Sequence, residues 1–191
     1  MIPYNTILTD GIIILQPPKI DHIPNLVEAV QESVAEIMPW MGWCTPAYNA
    51  EIAGSWLTAI PAAWESGTQY ALVITDAQTG NILGGTGLNH INYQYRLANL
   101  GYWVRTSATG CGIATRAAHL VAEFGVKQIG LLRAEIVVAV GNNPSLRVAE
   151  KTGARREGVL RNRLIVRENV LDAVMHSLIP QDFGISTNGG L

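Results

Sequence analysis

The sequence predicts a single α/β domain of the α+β kind, with a mixed, mostly antiparallel central sheet and helices packed around it. Three observations predict it. The 191 residues are 48% hydrophobic and 15% charged, enough apolar side chain for one sizeable core and too much for disorder. The apolar residues change period along the chain, from helical spacing near the start to β-type runs in the middle, then back to each in turn. No internal repeat, low-complexity block or linker divides it, so one domain spans residues 1–185 and leaves a polar, glycine-rich tail, "STNGGL", at 186–191, expected to fray.

The elements follow in order. "GIIILQPP" is an opening strand closed by Pro17 and Pro18, because proline cannot donate to a sheet ladder. A helix follows, capped by Asp21, with Pro24 in its first turn and Ile23, Leu26, Val27, Val30, Val34 and Ile37 on one face. "MPWMGWCTPAYN" is a loop that can line a ligand mouth as readily as fill a core. A second helix covers Ala50 to Glu65, bent or shortened by Pro61. "QYALVIT" and "NILGGTGLNHIN" flank the turn-rich "DAQTG" as an antiparallel hairpin, and "ANLGYWVR" adds a strand. Residues 112–128 form a helix whose apolar face carries Ala114, Ala117, Ala118, Val121, Phe124 and Gly125, and a strand runs from Ala134 to Val140. "NPSLRVAEKTG" is a short helix with Pro144 early and Gly153 after its last turn. "RLIVRE" and "LDAVMHSLI" are two closing β-type runs joined tightly at "EN".

Composition excludes several function classes. A net charge of −2 gives no general attraction for phosphate backbones, which makes nucleic acid a poor partner. The longest aliphatic run, Ile12 to Leu15, is too short to cross a bilayer, and the amino terminus lacks a signal-peptide layout, which reads as a cytoplasmic protein without a membrane partner. Cys44 and Cys111 lie far apart and read as small buried thiols, and the four histidines His22, His90, His119 and His176 show no metal-ligand spacing, so no metal is expected.

The stretch "RTSATGCGIATRAA" carries the chemistry. A strand ending at Arg105, a loop with Gly110 and Gly112, and then a helix place unpaired N–H groups and the positive end of a helix dipole in one small space. That arrangement suits an anion, although glycine spacing alone is compatible with a bare turn; neither the dinucleotide fingerprint nor the P-loop pattern is complete.

The segments "GYWVRTSATGCGIATRAAHLVAEFG", "RAEIVVAVGNNPSLRVAEKTGARREGVLRN" and "DAVMHSLIPQDF", in this order and spacing, resemble the GNAT superfamily of acyltransferases. Within it they look most like ribosomal-protein N-terminal acetyltransferases of the RimJ/RimL type, and the resemblance extends to "ILQPPKIDHIPNLVEAVQES" and "MPWMGW" near the start. It implies one N-acetyltransferase domain using acetyl-CoA, whose pyrophosphate is held by main-chain amides of an Arg/Gln-x-x-Gly-x-Gly/Ala loop. Here that loop carries Thr109, Gly110, Cys111, Gly112, Ile113, Ala114 and Thr115, with Ser107 where Arg or Gln is usual. It further implies that two strands splay apart between Trp103 and Arg105, so that amides there, near Val104, meet the pantetheine and the acetyl carbonyl. Asn142 would meet the pantetheine arm and Ser145 would lie close to sulfur; the same two residues also read as a plain helix cap.

Direct transfer to an amine needs a neutral amine and a leaving thiolate. An α-amino group of pKa near 7.8 is about a tenth neutral at pH 7, whereas a lysine near 10.4 is neutral in well under one part in a thousand, so an N-terminal acceptor needs only a weak base or a water relay. A thiol of pKa near 8.5 leaves with little help, which makes Ser145 a replaceable proton donor. Candidates for the base are Glu36, with Glu32, beside the aromatic loop, and His90 in "GLNHIN"; each also reads as a solvated or structural residue. Trp40 and Trp43 are the tryptophans expected at the acceptor mouth, the other three being core. The reading is an acetyl-CoA-dependent N-acetyltransferase acting on a protein N-terminus. A small-molecule amine acetyltransferase and a non-catalytic acyl-CoA-binding module are alternatives, and a homodimer is compatible with the sequence.

Overall fold

The computed structural model describes residues 2–186. The tail expected to fray therefore falls, but for Ser186, outside the described residues.

Eight strands form one sheet: β1 (Leu8–Thr9), β2 (Ile13–Gln16), β3 (Tyr70–Asp76), β4 (Ile82–Asn92), β5 (Leu97–Val104), β6 (Arg133–Ala139), β7 (Arg155–Val166) and β8 (Asn169–Leu178), in the order β1-β2-β3-β4-β5-β6-β8-β7. Every pairing is antiparallel except β5 with β6. Helices α1 (Ile23–Glu32), α2 (Val34–Ile37), α3 (Ala50–Glu65), α4 (Ile113–Phe124) and α5 (Asn143–Lys151) complete the fold.

Alternation along β3 explains how two layers of helix share one sheet. Tyr70, Leu72 and Ile74 enter the core built on α4, where Ala117, Ala118, Val121 and Phe124 lie at or near zero exposure. Ala71 and Val73 face the other way, toward a smaller core that packs Leu26, Ala29 and Val30 of α1 against Ala53 and Leu57 of α3.

Local chemistry adjusts several expected boundaries. The first helix does not begin on an Asp21 cap: a 3-10 turn, Ile20–His22, precedes it and His22 occupies the cap position, its Nδ1 accepting from Lys19 N and not from an N–H of the helix. It also breaks at Ser33, whose hydroxyl donates to Ala29 O and accepts from Thr106 N at 2.9 Å. A serine that bonds both its own helix and a distant loop competes with helix continuation. The second helix keeps its expected bounds, with Pro61 inside. The third changes at Gly125 to a wider turn, Gly125–Ile129, closed by Gly130 in the left-handed region. The last hairpin turns at Arg167–Glu168, both at positive φ, one residue before the expected "EN", since Val166 pairs directly with Asn169. Cys44 is buried as expected, but Cys111 is exposed at the loop tip.

The feature that positions the site is a missing ladder. β5 and β6 pair at Leu97 with Arg133, Ala98 with Ala134 and Asn99 with Glu135, then part. Each keeps its outer partner to the end, β5 with β4 as far as Val104 and β6 with β8 as far as Ala139. The sheet thus opens as a wedge from Leu100 onward, earlier than the expected Trp103–Arg105.

Candidate active site

The loop after β5 has two halves. In the first, the backbone donors are already used: Thr106 N donates to Ser33 Oγ, Ser107 N to Glu32 Oε1 at 2.6 Å, Ala108 N to Arg105 O and Thr109 N to Thr106 O. In the second, Gly110 and Gly112 stand at φ +78° and +77°, and Gly112 caps α4 without any side-chain bond. The bond from Arg116 N to Gly112 O leaves the N–H groups of Ile113, Ala114 and Thr115 with no helical acceptor. A Cβ added at either glycine would meet nothing within 4 Å, so the outer side of the loop is open. Within the expected span 109–115, the available main-chain donors therefore begin at Gly110, and Ile113 contributes only its N–H because its side chain is buried in the α4 core.

Acidic residues of α1 and α2 brace the first half. Glu32 pairs with the Arg105 guanidinium, which also holds Glu28 at 2.7 Å, and Glu36 Oε2 accepts from Thr106 Oγ1 at 2.9 Å. The Arg105 hydrogen bond, followed by that from Ser107, holds the Glu32 carboxyl down at about 2. Glu32 and Glu36, expected to face the acceptor, are turned to this loop and line neither cavity described below. Glu36, one of the candidate bases, acts here as a brace.

The direction of the β5 backbone follows from three contacts. Gly101 O accepts from Thr86 Oγ1 of β4, Trp103 O lies against Gly84 of β4, and Arg105 N donates to Leu83 O. Polar groups of successive residues alternate sides along a strand, so the N–H groups of Tyr102 and Val104 point into the wedge, where β6 has left. Trp103 turns its own backbone to β4 and its indole to the opposite cavity; the donors expected of Trp103 and Val104 are those of Tyr102 and Val104.

A cavity of about 390 Å³ occupies the wedge, lined by Leu100, Gly101 and Tyr102 on β5, Glu135 to Ala139 on β6, and Asn142 and Ser145 at the start of α5. Asn142 Oδ1 accepts from Ser145 N at 3.3 Å, the capping role, and this holds both side chains at the cavity. Ser145 Oγ lies 3.0 Å from the Tyr102 hydroxyl, which also donates to Ser145 O at 3.1 Å. Burial pushes the Tyr102 phenol up to about 12, so it stays protonated at neutral pH and can act as a donor. His90 and Trp40 line the same cavity. His90 is exposed and left-handed, φ +49°, where the β4–β5 register slips, which removes the structural reading of a buried, satisfied ring.

Behind β5 lies a second cavity of about 500 Å³ between the sheet and the α1–α3 layer, walled by Trp43, Tyr48, Trp56 and Trp103. Met41, Trp43, Asn89, Gly101 and Tyr102 line both cavities, so the two meet around Gly101. Trp40 lines the wedge cavity and Trp43 lines both, and Trp56 and Trp103, expected as core, wall the second cavity as well.

Two site residues escape sequence reasoning. Tyr102 sits inside an ordinary strand, and only the separation of β6 exposes its hydroxyl to α5. Glu135 lines the wedge cavity at its vertex, with Oε1 accepting from Arg133 Nε at 2.7 Å; a lone carboxylate inside an apolar strand was the available signal. Among the described residues no group of His, Cys, Asp and Glu is placed to hold a metal, and no helix is long and apolar enough to cross a membrane.

Comparison with known proteins gives this geometry a context. An acetyltransferase (GNAT) domain model matches residues 13–155. YdaF of Bacillus subtilis (strain 168), provisionally named a ribosomal N-acetyltransferase, is 26% identical over 174 residues, covering 89% of this chain and 91% of its own. Mycobacterium smegmatis RimJ, solved in complex with CoA-disulfide, superposes with a TM-score of 0.85 at 22% identity, covering 96% of this chain and 91% of its own. A Vibrio cholerae structure, provisionally named a ribosomal-protein-serine acetyltransferase, gives 0.83 at 23%, covering 94% of this chain and all of that one. At these identities the structural likenesses establish the fold.

Proposed function

The chain belongs to the GNAT acetyltransferase domain family, and from that premise we propose that it is an acetyl-CoA-dependent N-acetyltransferase whose acceptor is an α-amine, such as a protein N-terminus. The observation that carries the reading is the wedge: β5 parts from β6 after Asn99, leaving the N–H groups of Tyr102 and Val104 without a strand partner, and the cavity so opened is lined by the hydroxyl pair of Tyr102 and Ser145.

The residues present fit the coenzyme. Gly110 to Thr115 offer main-chain donors around a loop with no side chain in the way, which suits a diphosphate. Ser107, where the family resemblance implies Arg or Gln, commits its N–H to Glu32, so the cradle depends on the backbone donors from Gly110 to Thr115. Asn142 and the wedge amides suit an amide-bearing arm. Bound there, acetyl-CoA supplies an activated thioester carbonyl.

The amides of Tyr102 and Val104 hold negative charge that develops on the acyl oxygen; one such oriented donor contributes roughly 2.7–4 kcal/mol in other acyl-transfer sites. Ser145 Oγ and Tyr102 Oη, hydrogen-bonded to each other, deliver a proton to the departing sulfur. Proton removal from the amine falls to an imidazole nitrogen of His90, which lines the wedge cavity, or to water. The uncharged cavity behind β5 assists by disfavouring an ammonium, which lowers the pKa of the bound amine.

The test is thiol release from acetyl-CoA with a panel of short peptides and free amines. Peptide-dependent release supports the reading, release with small amines alone points to a small-molecule acetyltransferase, and tight coenzyme binding without release identifies a binding module.

A further inference from the structure

The cavity behind β5 has a floor and walls of unusual composition. Ala71, Gly87 and Gly101 are paired partners across β3, β4 and β5, so the sheet there presents a row of residues with no side chain beyond a methyl group. Beside that row, Gly85 lets the Trp103 indole lie across β4: a Cβ at Gly85 would come within 2.6 Å of Trp103 Nε1. Trp43, Tyr48 and Trp56 close the other sides, with Trp43 45% exposed at the mouth. Among the described residues, no Asp, Glu, Lys, Arg or His lines the space. Its polar side chains are partly satisfied, since the Thr86 hydroxyl donates to Gly101 O and Asn89 Oδ1 accepts from Asn99 Nδ2.

Gly101 is the informative residue. It is not among the glycines at positive φ, and a Cβ there would meet only Asn99 Nδ2, at 4.0 Å. Neither backbone conformation nor packing asks for glycine at this place. What its bare Cα does is keep the two cavities joined beside Tyr102.

We propose that this recess is a specificity pocket of the acceptor, taking a large, uncharged apolar or aromatic group carried on the carbon beside the reacting amine. The proposal rests on the acetyltransferase reading of the wedge and specifies its substrate class. Three physical points support it. A charged acceptor side chain would be desolvated with no counter-charge, which is strongly unfavourable, while an apolar one gains by burial. Aromatic walls reward an aromatic guest beyond the area it buries. A volume of about 500 Å³ lies in the range of roughly 300–1,000 Å³ typical of small-molecule sites. Because the recess meets the wedge at Gly101, a group seated in it leaves its α-amine next to the inward amides of β5.

Two measurements test it. In the first, tetrapeptides differing only in the first residue are compared by thiol release: Phe-, Leu- and Trp-initiated peptides are expected to exceed Asp- and Lys-initiated ones by about 100-fold or more in kcat/KM. Gly101→Val, which fills the junction, is expected to remove most of the Phe preference. Ile52→Glu, at an exposed position on the recess, is expected to shift preference toward Lys-initiated peptides. In the second, the indole N–H resonances of Trp43, Trp56 and Trp103 are followed by NMR with coenzyme A present; phenylalaninamide should shift them and aspartic acid α-amide, which keeps its side-chain carboxylate, should not. A flat peptide panel together with unmoved indoles overturns the pocket while leaving the transferase standing. Indole shifts without thiol release from any amine support the pocket and overturn the transferase.

Discussion

Replacing Gly112 with valine separates conformational strain from ligand recognition. Gly112 sits at φ +77°, and nothing lies within 4 Å of where its Cβ would be, so the added Cβ meets open space. Its penalty is the left-handed backbone itself, about 1–2 kcal/mol or somewhat more for a β-branched residue. For a chain of this length that lowers Tm by roughly 2–8 °C, and the fold survives. Relief of that strain re-aims the N–H groups from Gly110 to Thr115. Each hydrogen bond to a charged group is worth about 1.5–3 kcal/mol, so losing one weakens coenzyme A binding by roughly 10–150-fold and losing two by more. Gly80→Val is the matched control: φ is +73°, nothing lies within 4 Å, and the residue belongs to the β3–β4 turn, not to the loop. Calorimetric titration with coenzyme A and thermal unfolding, run on both variants, form the assay. Both should lose a similar amount of stability, but only the Gly112 variant should lose affinity. An unchanged Kd in Gly112→Val, with its Tm lowered, refutes the backbone cradle.

Three further predictions concern the braces and the buried polar groups. Ser145→Ala and Tyr102→Phe should each lower kcat more than they raise the KM for acetyl-CoA; since the two hydroxyls lie 3.0 Å apart, the double variant should lose less than the product of the single losses, and independent effects would separate their roles. Glu32→Ala should weaken coenzyme A binding several-fold and cost no more than about 1 kcal/mol of stability, the exposed ion pair being screened. Because the Glu32 carboxyl is depressed from 4.5 to about 2, its stabilisation is complete above pH 4.5 and fades as pH falls toward 2, so the variant should lose that part of the acid limb in urea titrations. His176 is fully buried on β8 and neither ring nitrogen has a well-directed partner among the described residues; burial depresses its pKa from 6.5, against a weaker pull from the carbonyl groups of Ile136 and Val174. The unfolded chain therefore takes up the proton first, and stability should fall as pH drops below about 6.5, at up to about 1.4 kcal/mol per pH unit. His176→Leu should flatten that slope, and an identical slope in the variant would show that another group is responsible.

The amino-acid sequence by itself determined the elements and the anion loop. Periodicity located nearly every strand and helix because burying one face is a local requirement written residue by residue, and Gly110 and Gly112 were legible because a left-handed backbone selects glycine at the position itself. Asn142 and Ser145 were legible for the same reason, as a cap within three residues. Partnerships over long separations were decided by the tertiary structure alone. Glu36 reads as a base beside an aromatic loop until Thr106, seventy residues on, claims its carboxylate. Tyr102 reads as a strand residue until β6 departs and Ser145 arrives from α5, and Trp56 reads as core until a bare row of Ala71, Gly87 and Gly101 leaves it facing space. Sequence encodes what a residue's own backbone and near neighbours demand; a cavity is defined by side chains missing on several strands at once, and only their register brings those absences together.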